Sequence, residues 1–486
     1  MSKQTGSARQ VVAAALTGSA ATLEEVLGPL GPEGWVALDL GVRTVAWYQH
    51  GGLPSNSWAR AGERPANEAS LAVALCHPDG RVRQAALAAA ASVPALLPLA
   101  VVRCADWVAP VREDARALFR AALSAATPRA VAEVTAVALR VAGRRHGAYA
   151  RDLLTEFLRS AGQELIATLT ASQDRATGRL GYRIAIGQGR FSATGLARIA
   201  ATHGDVVVQD LCADAALARA ATAGQYAEIV GPLLGSRHSR VRAAGVTALN
   251  RTGGVEEAAA FLTDRSGMVR ACARWVLRQH GVDPLPRYRA ICAGPPGAVR
   301  PGAVRPGAVA GLGESGAKAD AELLRRLLAH PVAAIRARAV AGLRGLGAVE
   351  PEQLSPLLTD PSAAVVREAS VALVPDATRL SELLLWERLA PDRPRHVRTA
   401  AYRLLSAHRG TVELRCHLTL LDDEDPRLRA QARAAAIRWT PGYGASAPAA
   451  LSSSERAHLD ALIDRSAPLL DSATMARLRW YVKSGR

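Results

Sequence analysis

Between Glu322 and Gly347 the chain reads ELLRRLLAHPVAAIRARAVAGLRGLG, and its apolar positions form two helical sets separated by one turn. Leu323, Leu324, Leu327 and Leu328 recur at helical spacing and predict a short first helix. His330 and Pro331 end it, because proline has no N–H to continue the helical ladder and disfavours helix in the residue before it. Ile335, Val340 and Leu343 then line a second helix, which stops at Gly347 as a left-handed C-cap. Each helix is amphipathic and too short to persist alone, so the pairs must stack to bury their apolar faces.

The turn between the two helices carries a signature that returns along most of the chain. An Asp, His or Ser is followed five residues later by Val, Ile or Leu, then by Arg, with a small residue three positions past the Arg. It begins at His77, Asp106, Ser236, Asp264, His330, Asp392 and Asp423, and once more at Asp360 with a one-residue insertion. Arg336, Arg367, Arg398 and Arg429 are spaced by 31 residues, Arg242 and Arg270 by 28, and Arg83 and Arg112 by 29. A fixed period of this size means a solenoid of stacked units. The small residue (Ala86, Ala115, Gly245, Ala273, Ala339, Ser370, Ala401, Ala432) lets helices approach closely. The second helices end alike, at Gly253, Gly281 and Gly347, with basic residues in the last turn where a cation complements the helix dipole.

These residues resemble HEAT or HEAT-like repeats, also called the bilin-lyase HEAT-like type and armadillo-like in architecture, over roughly residues 65 to 440. The resemblance implies an all-α, right-handed α-solenoid of stacked antiparallel helix pairs. It also implies hydrogen-bonded ladders between the recurring Asp and Arg of successive units, with Arg83, Arg112, Arg242, Arg270, Arg336, Arg367, Arg398 and Arg429 as ladder residues. His77, Ser236 and His330 depart from the family's Asp.

Elsewhere the pattern is worn. The segment from His203 has the right spacing with Gln209 in place of the Arg, and GRLGYRIAIGQGRF near Gly178 reads as another degenerate unit. DLGVRTVA from Asp39 matches in reduced form, and Thr22 with Glu25 predicts a capping box. The expected organisation is an N-terminal helical cap over residues 1–64, repeats over 65–292, a flexible Pro/Gly-rich loop over 293–316, repeats over 317–440, and a linker with C-terminal capping helices over 441–486. The loop assignment rests on the tandem PGAVR, PGAVR, PGAVA from Pro296, in which proline and glycine recur every five residues.

Composition alters this picture in one respect. The formal net charge is +17, and of the 60 basic residues only Lys3, Lys318 and Lys483 are lysines. The surplus is spread along the chain: residues 161–290 carry 16 basic against 10 acidic, and 291–486 carry 27 against 20. Aromatics are only 4%, so the core must be Ala, Leu and Val. The six cysteines lie far apart with no CxxC pair, which predicts buried free thiols in a reducing compartment and no zinc site. No apolar run is long enough for a signal peptide or a membrane span, so a cytoplasmic protein without membrane association is expected.

No nucleotide loop, dinucleotide fingerprint, nucleophile elbow or metalloprotease spacing occurs, and no cofactor or metal is implied. Because some HEAT-like solenoids are alkylpurine DNA glycosylases, Asp106, Trp107 and Trp275 supply the residue types for base excision, although Asp106 occupies the capping position of its repeat. Function is therefore sought beside the signature. Arg81, Arg237, Arg240, Arg395 and Arg427 lie just before the signature Arg at the starts of second helices, where they can meet a partner. The expected role is a non-catalytic scaffold for a protein partner, with nucleic-acid binding as the alternative.

Overall fold

A computed structural model describes residues 2–27, 30–48, 53–58, 65, 67–294, 304–440 and 451–484. Among these residues the secondary structure is α-helix and short 3-10 helix, with no strand. The chain forms two compact units, residues 1–241 and 242–486. Each is an all-α stack of antiparallel helix pairs.

In the first unit the pairs are Glu68–Leu75 with Gly80–Ala90, Leu97–Arg103 with Ala109–Leu123, Gln163–Thr170 with Arg175–Gly187, and Ala193–Thr202 with Val206–Arg219. Helix Pro128–Val141, which carries no signature, packs against Leu97–Arg103, Gln163–Thr170 and Pro32–Tyr48 and so bridges the gap between recognisable pairs. The N-terminal helices Ser2–Thr17 and Pro32–Tyr48 pack on each other, and their Val11, Leu38 and Val42 join the same core as Leu99, Val137 and Leu169. Thr22 and Glu25 exchange the two bonds of a capping box, at 2.7 and 3.2 Å. Asp39 differs from the turn position its sequence suggests: it lies inside helix Pro32–Tyr48, buried, and bonds Arg43 four residues on.

In the second unit helix Gly267–Gln279 follows Val255–Thr263, Ala333–Gly345 follows Ala321–Ala329, Ala363–Leu373 follows Pro351–Thr359, Arg395–Ala407 follows Glu382–Leu389, and Pro426–Arg438 follows Gly410–Thr419. The helices Ser453–Arg465 and Ser472–Ser484 close the chain as a pair with Leu459, Ile463, Leu478 and Trp439 in one core. Gly253, Gly281 and Gly347 have φ of +71°, +73° and +62°, the left-handed conformation that ends these second helices at low steric cost.

The stretch read as a flexible loop over 293–316 is corrected in part. Residues 295–303, which hold most of the first two pentapeptide copies, and residues 441–450 of the expected linker lie outside the described residues. The third copy, however, opens a helix, Pro306–Ser315, with buried Val309 and Leu312. Pro306 occupies the first turn, where its missing N–H costs nothing. The glycines that suggested a loop serve instead for close approach. A Cβ on Gly311 would stand 2.3 Å from the Tyr288 ring, and one on Gly313 would stand 2.4 Å from Gly342 Cα.

The turn ladder and candidate interaction surface

Every turn signature but the one at Asp392, where Pro394 has no N–H to offer, is a small hydrogen-bonding device. Its first residue accepts the N–H two positions later, which fixes the entry to the second helix: Asp106 from Val108 at 2.9 Å, Asp264 from Ser266 at 2.7 Å, Asp360 from Ser362 at 2.8 Å and Asp423 from Asp425 at 2.9 Å. Where histidine stands first, Nδ1 takes over, accepting from Asp79 beside His77 and from Val332 beside His330. Burial lowers the pKa of both imidazoles, with Asp79 opposing it at His77, and so favours the neutral ring that has a lone pair on Nδ1. At Ser236 the hydroxyl accepts from His238 at 3.2 Å.

The arginine six residues on closes the turn and reaches the next pair. Arg83 donates from one guanidinium nitrogen to the carbonyls of His77 and Pro78, and bidentately to Asp106 at 2.9 and 2.8 Å, with both side chains fully buried. Arg242 makes the same fork with Asp264, at 3.0 and 2.9 Å. Arg336 makes it with Asp360, at 2.8 Å twice. Arg398 meets Asp423 with its two terminal nitrogens instead, while its Nε donates to the Leu389 carbonyl at 2.9 Å. Burial raises the carboxyls of Asp106, Asp264 and Asp360, but these guanidinium and turn N–H bonds outweigh it and hold all three below the ordinary carboxylate range. Planar guanidinium suits this bidentate task as lysine would not.

Other ladder positions depart from the regular rung. Arg270 pairs with Glu314 on the glycine-rich helix, 44 residues on, and Arg274 joins it at 2.8 Å. Arg112 and Arg429 close only their own turns, donating to the carbonyls of Asp106 and Asp423. Gln209 does likewise to His203, at 2.7 Å. A rung invisible in the signature joins Arg179 to Asp205 at 3.0 Å; its arginine sits one position late, and its carboxylate two positions past His203.

Arg367 is a correction. It is 67% exposed and bonds only its neighbour Glu368. The inserted residue places fully buried Val366 six positions after Asp360, and one residue of helix turns Arg367 about 100° away. Asp392, the acceptor expected on the following turn, is 73% exposed. The carbonyl of Asp360, left without its arginine, is met at 3.2 Å by His396 Nε2 from the next pair, which must there carry the proton.

The arginines proposed for partner contact take several positions. Arg81 and Arg427 are exposed, with their backbone N–H groups held by Asp79 and Asp425. Arg237 is exposed. Arg240 pairs with Asp210 at 3.3 Å and Arg395 with Asp425 at 2.8 Å, so the charge of each is answered by a neighbouring helix. Arg395 and Arg427 are brought together with Arg393 and Arg398 around an open cavity of about 460 Å³, where Glu424 and Asp425 add negative charge.

Asp106 lacks the accessibility that base excision needs. Its two oxygens are occupied by Arg83, by Arg103 at 3.0 Å and by the Val108 N–H. Trp107 beside it is 59% exposed, with the guanidinium carbons of Arg43 and Arg83 both 4.3 Å from its ring centroid. Trp275 is half-exposed on helix Gly267–Gln279 of the second unit. This Trp107 surface went unnoticed in the sequence because its arginines come from positions 43 and 83, far from residue 107 in the chain.

The six cysteines are free, five of them buried. Burial drives the thiols of Cys76, Cys104 and Cys292 up to about 12, far from a reactive thiolate. Among the described residues no helix is long and apolar enough to cross a membrane, and no group of three or more His, Cys, Asp or Glu side chains could hold a metal ion.

No family model and no curated protein matches the sequence. Among solved structures the chain is similar to Kap121p, with 13% identity, a TM-score of 0.35 and coverage of 85% of this chain and 51% of that one. It is similar to Kap95p, from a structure described with RanGDP, with 10% identity, a TM-score of 0.33 and coverage of 100% and 67%. It is similar as well to importin beta, with 12% identity, a TM-score of 0.33 and coverage of 98% and 63%. The chain thus spans about half the length of Kap121p, and the likeness is too distant to carry a functional inference.

Proposed function

We propose that this chain is a non-catalytic HEAT-like scaffold that docks a protein partner on the turn edge of its helix pairs. The observation that carries this reading is the exposed indole of Trp107 set against Arg43 and Arg83. Tryptophan and arginine dominate the binding energy of protein interfaces, because each presents a large contact area with a polar handle. Leu40, 55% exposed and one helical turn from Arg43, extends the same surface with apolar area.

The nucleic-acid alternative draws on the positive surplus, but an interface of that kind needs arginines whose charge is available to phosphates. Of the five turn arginines, Arg240 and Arg395 are neutralised by Asp210 and Asp425. The test is affinity capture of the intact chain from lysate, with and without nuclease. Under this reading direct protein partners persist after digestion; loss of every partner with the nucleic acid would overturn it.

A further inference from the structure

Around Trp107 the molecule carries more positive charge than its carboxylates answer. Asp39 is shared by Arg43 at 2.8 Å, by Arg103 and, at 3.7 Å, by Arg144. Asp106 is shared by Arg83 and Arg103. Four guanidinium groups thus stand against two carboxylates in a region where Asp39, Arg83, Arg103 and Asp106 are all buried. The Nε atoms of Arg43 and Arg103 are buried without hydrogen-bond partners. The four buried groups balance, so the surplus is carried by Arg43 and Arg144, whose side chains are 21% and 34% exposed and stand within reach of a partner's anion.

The excess continues outward, where Arg112 and Arg116 share the single carboxylate of Glu113 at 3.4 Å each. Arg112 also donates to the Asp106 carbonyl and Arg116 to the Cys104 carbonyl, anchoring both guanidinium groups beside the Trp107 turn. His146 lies close enough to Arg112, Arg145 and Arg116 that their charges, after burial, depress its pKa. Arg145 is exposed and Arg144 half-buried.

We infer that this surface is the docking site for an acidic segment of the protein partner, with its carboxylates on the surplus guanidinium groups and an apolar side chain against Trp107 and Leu40. The inference rests on the scaffold reading above and names the chemistry of its partner. A nucleic acid fits less well, because single-stranded bases need open aromatic faces to stack upon. Here Trp107 carries two guanidinium groups, and Tyr149 carries Arg116 at 4.4 Å.

The test is fluorescence anisotropy on the full chain with a labelled oligoglutamate peptide containing one leucine, and with labelled oligo-dT as the competing class. Trp107→Ala, and Arg144→Glu with Arg145→Glu, should each weaken peptide binding by about tenfold or more, as loss of a hot-spot residue does. Arg183→Glu with Arg198→Glu makes the same charge change at exposed positions of the same unit and should leave binding within about twofold. Circular dichroism checks folding, and the exposed Arg145→Glu alone decides the matter if the double variant unfolds. Equal binding by wild type and site variants, or equal loss in the Arg183/Arg198 control, would overturn the inference. So would tighter oligo-dT binding that the site variants abolish. If the inference fails while nuclease-resistant protein partners are still captured, the scaffold reading survives and only this site is lost.

Discussion

Two successive turns of the second unit solve the same packing problem in different ways. At Arg336 and Asp360 the rung is complete, with a bidentate ion pair between helix pairs and three turn hydrogen bonds below it. At Val366 and Asp392 there is no rung: an aliphatic side chain is buried where the guanidinium would be, the carboxylate faces water, and His396 supplies a single bond in the opposite direction along the chain. Yet helix Ala363–Leu373 packs against both Ala333–Gly345 and Arg395–Ala407. The apolar faces therefore hold the stack, and the rung determines how well the polar groups of the turns are satisfied. Buried ion pairs commonly behave this way: they add little net stability while intact and cost much when only one partner is removed.

That contrast can be broken by removing one partner at a time. The largest effect is expected for Asp106→Ala, which leaves Arg83 buried without its carboxylate and Arg103 with Asp39 alone, and should cost about 3–5 kcal/mol, read as a fall in the urea midpoint. Asp360→Ala strips Arg336 and the Ser362 N–H and should cost about 2–3 kcal/mol by the same measurement. His396→Ala removes one hydrogen bond and should cost about 1 kcal/mol. Asp392→Ala, at an exposed position, should change stability by less than about 0.5 kcal/mol. A loss at Asp392 equal to that at Asp360 would mean the second turn has a rung after all.

Acid sharpens the same comparison. The carboxyl of Asp360 titrates lower in the folded chain than in the unfolded one, so its stabilisation is fully present above the ordinary carboxylate pKa of about 4 and is lost as pH falls through the lower folded value. Asp360→Asn should accordingly flatten the fall in stability below about pH 4 relative to wild type, measured by urea unfolding across pH. An unchanged acid slope would remove Asp360 from the account.

Much of the array was legible because period, turn chemistry and helix caps are local. The helix pair at 321–345, the left-handed Gly347 and the turn-capping Asp360 all follow from neighbours a few residues apart. The rungs are less local, since each acceptor lies 22 to 25 residues beyond its arginine in the regular cases, 26 beyond at Asp205 and 44 beyond at Glu314. Arg367 misled because a single insertion changes helical phase while leaving the letters of the signature intact. The helix at Pro306 was hidden for the opposite reason. Glycine lowers helix propensity locally, but here it permits a backbone approach at Gly342 that only tertiary packing reveals. The Trp107 surface needed side chains from separate helices, and no periodicity reports such a convergence.

The turn cap has one further consequence. In nearly every unit, one backbone amide, two residues past the first signature position, is bound by a side chain rather than by the helix: Asp79, Val108, Asp205, His238, Ser266, Val332, Ser362 and Asp425. Each exchanges its proton with solvent only when its own turn opens, so hydrogen exchange at these positions samples local opening pair by pair along the array. The repeat thereby contains an ordered set of built-in reporters, one per turn, on which a partner's footprint would register as slowed exchange.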